Sequence, residues 1–213
     1  MTNEEKFDRA LNRIQQERAA FLSRFDSLSQ DQLDFKPSQD SWSVGETAHH
    51  VSLTEKVVQE NLQALLLAGR EEQGATRRIS YRELPVAPRM FPGFLLRLAP
   101  FQVPFSIMTS FMPSALRSFF LANPVVKVRT APAVEPRAGI LRAELLDNLH
   151  QVRDATLQLL EPVRGWDLSC FRWTHPLIGT YDIYGTLEFL ANHDFRHGIQ
   201  IERIKKNSEF PAS

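Results

Sequence analysis

Four stretches of this chain repeat apolar residues at helical spacing, and nothing else in it has a regular period. Phe7, Leu11, Ile14, Phe21, Phe25 and Leu28 recur at threes, fours and sevens, the spacing that lines up side chains on one face of an α-helix. Val51, Val58, Leu62 and Leu65 form a second stripe. Leu141, Leu145, Leu149, Val152 and Leu159 form a third, and Ile183, Leu187, Leu190, Ile201 and Ile204 a fourth. No segment alternates with a period of two, and no internal repeat is present. Four amphipathic helices must bury their stripes against one another, so the expected fold is all-α, a four-helix bundle.

Local signals place the ends. Thr2 with Glu5, and Ser43 with Glu46, have capping-box spacing, in which each side chain satisfies an orphan backbone donor of the first turn. The first helix is expected over 2–28, with a loop over 34–41. The second runs from Ser43 to Gly69, where glycine allows a left-handed end. The third covers 138–160 and stops at Pro162. A proline- and glycine-bearing connector, DLSCFRWTHPLIGTY, leads to the last helix, Asp182 to Lys205. Lys205 and Lys206 there oppose the helix dipole.

Between the second and third helices, at about 70–135, lies a Pro-rich insertion holding eight of the thirteen prolines. Within it, residues 98–116 carry no formal charge. Their prolines and hydroxyl residues argue against a membrane span. Short helices packed on the bundle or at a homodimer contact are expected instead, because so large an apolar patch is rarely left in water. Peripheral membrane contact is the lesser alternative.

The 213 residues suffice for one core, so a single domain over 1–213 is expected. Lys+Arg equals Asp+Glu at 25 each, so no global positive field draws the chain to nucleic acid. A single cysteine, Cys170, and a charged N-terminus without an apolar core fit a cytoplasmic protein.

The sequence NHDFRHGIQIERIKK places His193 and His197 one turn apart in the last helix. They are either ordinary helix residues or two arms of a metal clamp. His49 and His50 follow the second cap by about two turns, and His50 lies in line with Leu53 and Val57 at the edge of the apolar face. Three imidazoles from two facing helices can close three corners of a tetrahedron around a divalent cation, at bond lengths near ~2.0–2.1 Å. His49 points about 100° away from His50, so it reads as an outer brace of the site or as a solvated residue.

WSVGETAHHV, followed at a distance by HPLIGTYDIYGTLEFLANHDFRHGIQIERI, resembles the DinB/YfiT-like four-helix-bundle family. The likeness covers roughly 1–68 and 125–206. Trp42 and Ser43 open the first motif, and His50 falls at its ligand position. His193 and His197 match the other two ligands, with Arg196 and Gln200 in the flanking pattern. The resemblance implies a divalent metal (zinc, nickel, iron or manganese) held by three histidines with open positions. It also implies chemistry with low-molecular-weight thiols such as mycothiol, bacillithiol or glutathione, as S-transfer or isomerisation. Other members are described only as metal-dependent hydrolases.

No residue is assigned a catalytic role. Asp194 stands where HExxH peptidases have glutamate, so that mechanism does not transfer, and Asp194 reads as a surface or bracing residue. Glu46 reads first as a cap and second as a brace for His50. His175 reads as a turn histidine, Cys170 as a buried structural thiol, and Trp42 and Trp173 as core or rim aromatics. Arg196 is open between a carboxylate anchor and a solvated charge. Two rivals to an enzyme stand: a metal- or small-molecule-binding bundle without turnover, and an interaction module using 98–116. If His50 meets His193 and His197, the second and last helices must run antiparallel.

Overall fold

The computed structural model describes residues 1–71, 74–78, 132–175 and 179–212. Its helices are α1 (Asn3–Leu22), α2 (Gln30–Asp34), α3 (Val44–Ala68), α4 (Arg142–Leu160) and α5 (Ile183–Lys205). All but the short α2 form the bundle.

Two clusters of buried residues fix the helix directions. Phe7, Leu11 and Ile14, from the start of α1, pack with Val58, Leu62 and Leu65 near the end of α3. Leu160, at the end of α4, and Leu187 and Leu190, from the first half of α5, complete that cluster. The second joins Phe21 of α1 to Val44, Ala48 and Val51 at the start of α3. It adds Leu145 and Leu149 at the start of α4, and Ile201 and Ile204 near the end of α5. Helices α1 and α5 therefore run together, opposite to α3 and α4, which is the antiparallel relation that the histidine spacing demands. Helices α3 and α4, consecutive bundle helices in the chain, are therefore parallel.

Both expected capping boxes form. Thr2 Oγ1 accepts from Glu5 N–H at 3.1 Å while Thr2 N–H donates to Glu5 Oε2 at 2.8 Å. A third, Ser29 with Gln32, opens α2. The first helix stops at Leu22 rather than continuing to 28. Tight turns follow, with Phe25 N–H bonded to the Leu22 carbonyl at 3.0 Å. Phe25 and Leu28 are still buried, so the apolar spacing persists after the backbone has left the helix. Helix α4 starts at Arg142, not 138, after Gly139 at φ +71°. Its buried face is Leu145, Leu149, Arg153, Thr156 and Leu160, one step round from the expected stripe, and Leu141 is 64% exposed. Gly69 ends α3 at φ −103°, outside the left-handed region. It is small for another reason: a Cβ there would lie 2.7 Å from the Phe171 ring and 2.9 Å from Ala75 Cβ.

A small sheet accompanies the bundle, in segments whose sequence shows no sustained alternation. Strand β1 (Ala75–Arg78) pairs in parallel with β2 (Phe171–His175), and β2 pairs antiparallel with β3 (Gly179–Asp182). The alternation that betrays β2 is three residues long: Phe171 and Trp173 are buried and Arg172 is exposed. Trp173 Nε1 donates to Thr186 Oγ1 at 2.7 Å, tying the sheet to α5. His175 thus belongs to a strand, not a turn, and Cys170 is exposed rather than a buried structural thiol. Among the described residues, no helix is long and apolar enough to cross a membrane. Residues 98–116 and most of the Pro-rich insertion lie outside the described residues.

Candidate metal centre

Helix α3 is started by a buried cap that also sets the height of His50. Ser43 Oγ accepts from Glu46 N–H at 3.1 Å, and Glu46 Oε2 accepts from Ser43 N–H at 2.8 Å. Lys36 Nζ donates to the other Glu46 oxygen at 2.7 Å. The Glu46 carboxylate is therefore taken up by the cap and Lys36. Two turns later, His50 faces the second half of α5.

There the structure brings together His50, His193 and His197. One ring nitrogen from each lies within 4.8 Å of the other two. The ring centroids are 5.2 Å apart for His50–His193, 5.0 Å for His50–His197 and 4.4 Å for His193–His197. Trp42 walls one side, 4.8 Å from His50 and 6.5 Å from His197, and Phe189 covers His193 at 5.6 Å.

Two of the rings are held in a definite tautomer. His50 Nδ1 lies 2.8 Å from the Val134 carbonyl oxygen, which can only accept, so Nδ1 carries the proton and Nε2 the lone pair. His197 Nδ1 makes the same bond to Gln200 Oε1 at 2.9 Å. His49 differs. It is buried, and its Nδ1 accepts from the Arg137 backbone N–H at 2.9 Å. It belongs to the anchoring of the returning chain, not to the three-histidine group, and it is not solvated.

All three imidazoles resist protonation. Burial pushes His50 down to about 4, the Val134 bond opposing and Arg196 and His49 reinforcing the fall. Burial and then His50 bring His197 to about 3. His193 is held well below its ordinary value by burial and then by His197 and His50. The rings thus present neutral nitrogen donors. Among the described residues no fourth side chain joins the group. Asp194 turns away into the bundle and is buried. Arg196 is half-buried on α5, and its charge bears on all three rings.

Residues 13–201 match the family model of the DinB superfamily. The chain belongs to that superfamily. No curated protein and no solved structure matches it. In this DinB-superfamily chain the donor set suits a divalent transition metal, since imidazole favours zinc, nickel or iron. Nitrogens bound at ~2.0–2.1 Å to one tetrahedral ion lie about 3.3 Å apart, which small rotations of rings already so close can reach.

Gln200 was visible in the sequence only as a neighbour of the histidines. Its acceptor makes it the outer partner of His197, and such partners govern metal affinity by about 10–100-fold. Gln200→Met is expected to weaken metal binding by that order, and Gln200→Glu, which keeps an acceptor, to restore it. Competition with a chromophoric chelator measures both; equal affinity in Gln200→Met would show that the bond does not orient the ring.

The depressed histidines also predict a pH dependence for metal-free protein. Unfolded, each has its ordinary pKa of 6.5; folded, His50 and His197 lie at about 4 and 3. Between those values the unfolded chain binds more protons, so stability rises with pH. Their contribution is full above 6.5 and is lost progressively as pH falls to about 4 for His50 and about 3 for His197. Melts in chelator at pH 7, 5 and 4 should show a steeper loss for wild type than for His197→Ala. Parallel curves would contradict the shift.

Proposed function

We propose that this chain is a metal-dependent enzyme whose His50, His193 and His197 hold one divalent ion, of zinc, nickel, iron or manganese. An ion there lowers the pKa of a bound thiol or water and so yields a nucleophile at neutral pH. The observation that carries the reading is the neutral three-imidazole set, which no carboxylate joins among the described residues. Three neutral ligands would leave the ion's charge uncompensated and so would favour an anion from solution. A low-molecular-weight thiolate used in S-transfer or isomerisation is the favoured substrate; hydroxide, as in a hydrolase, is the alternative. Arg196 strengthens the preference for an anion. Trp42 and Phe189 shield the rings from bulk water.

The test is elemental analysis of protein purified without added metal, then incubation of the loaded protein with a panel of thiols and electrophiles. Thiol consumption that depends on the metal supports the enzyme. Metal binding without turnover favours a binding bundle. That outcome has its own support in the structure: Asp194, the buried carboxylate next to His193 in the chain, is already bonded to two arginines. We place the protein in the cytoplasm and expect a homodimer through 98–116. Deleting that stretch should leave a monomer in sedimentation; a full-length chain that is monomeric at high concentration would refute the dimer.

A further inference from the structure

Four charged side chains, one from each bundle helix, are buried together beside the histidine group. Arg18 of α1 and Arg153 of α4 face Glu55 of α3 and Asp194 of α5, and none is more than 4% exposed. Arg18 Nε and Nη2 donate to the two oxygens of Asp194 at 2.9 and 3.2 Å. Its Nη2 also reaches Glu55 Oε2 at 2.6 Å, and its Nη1 the Leu149 carbonyl at 2.8 Å. Arg153 donates to both Glu55 oxygens at 2.7 and 3.1 Å, to Asp194 Oδ2 at 3.1 Å, and to the Ile14 carbonyl. The charges cancel, and every carboxylate oxygen has a donor.

A balanced buried quartet is a weak source of stability, because apolar residues of the same volume would serve as well or better. The best-attested use of buried polar groups is to fix register. The quartet's position suggests what needs fixing here. A helix turns about 100° and rises about 1.5 Å per residue. With both Asp194 oxygens held by the Arg18 fork, the rotation and height of α5 are fixed. His193 then projects about 100° to one side of Asp194, and His197 about 60° to the same side. Both are directed to the flank where His50 stands.

We infer that Asp194, clamped by Arg18, is a positioning residue for the three-histidine centre, setting the rotation and height of α5 so that His193 and His197 meet His50. The inference rests on the metal reading above.

Two charge-balanced double variants separate this role from a merely structural one. Arg18→Met/Asp194→Leu frees α5 and leaves Glu55 paired with Arg153. Arg153→Met/Glu55→Leu leaves the Arg18–Asp194 clamp intact. Cobalt(II) titration by absorbance reads both affinity and ligand geometry. The first variant should bind cobalt at least ~10-fold more weakly, with altered d–d bands, while the second keeps wild-type affinity and spectrum. Wild-type binding in the first, or equal losses in both, overturns the inference. If the first variant does not fold, Arg18→Lys decides. It keeps the charge but loses the two-point fork, and cobalt binding unchanged from wild type overturns the inference. Wild-type protein that takes up no cobalt is a separate result, which removes the metal centre itself.

Discussion

Alanine at His50, His193 or His197 is expected to strip the protein of divalent metal, and alanine at His49 to leave metal content unchanged. Each of the three supplies one donor to a group that has no fourth side chain among the described residues. Two remaining imidazoles make a poor site, so the loss should exceed the ~10–100-fold that removal of an outer hydrogen bond causes. His49 adjoins His50 in sequence, yet its ring is spent on the Arg137 backbone N–H. His49→Ala should therefore lower stability by about 1–3 kcal/mol, the cost of an unpaired buried donor, without lowering metal affinity. Elemental analysis and chelator competition on the four variants give the answer. Full metal retention in His50→Ala would remove α3 from the site, and loss in His49→Ala would assign the wrong neighbour.

The second large effect lies in the charged knot. Glu55→Ala leaves two buried guanidiniums facing the single carboxylate of Asp194. Breaking a buried ion pair on one side costs about 3–5 kcal/mol, a large share of the ~5–15 kcal/mol that holds a domain folded. At about 2–4 °C per kcal/mol for a chain of this size, the metal-free melting temperature should fall by roughly 6–20 °C. Glu55 is ionised despite its surroundings. Burial opposes its charge, but Arg18 and Arg153 more than offset that and hold its pKa below the usual value. Glu55→Gln keeps the shape and loses the charge, so it should reproduce most of the loss. A fall of a degree or two in both variants would mean that the arginines find other partners.

The same knot explains where sequence reasoning succeeded and where it stopped. In α1 the apolar stripe jumps from Ile14 to Phe21, and Arg18 fills the gap. In α3 it jumps from Val51 to Val58 over Glu55, and in α5 from Leu190 to Ile201 over Asp194 and His197. A charge standing in phase with an apolar stripe on every helix was a legible signal, but apolar periodicity counts such positions as blanks. In α4 that blindness shifted the expected face by a residue, because its buried face runs through Arg153. Asp194 proved to be a brace rather than a surface residue for the same reason. The bundle itself was readable because long stripes outweigh local errors, and two of its capping boxes were readable because they depend on residues three apart. The sheet was not, since its strands are four and five residues long and two of them meet only across the chain. The histidine group was visible in the spacing of His193 and His197. The bonds that fix the rings of His50 and His197 were not, because one partner, Val134, acts through its backbone.

Both ends of the stretch 79–131 are fastened to the framework. On one side, β1 is zipped to β2 up to the pairing of Arg78 with Thr174. On the other, the chain returns at Pro132–Val134 and bonds His50 through the Val134 carbonyl. The three histidines, the charged knot and the caps are built from residues outside it. Replacing that stretch while keeping β1 and Pro132–Val134 would show which of the contacts described above stand without it. One seam is shared, for a splice that disturbs Val134 also unlatches a ring of the three-histidine group.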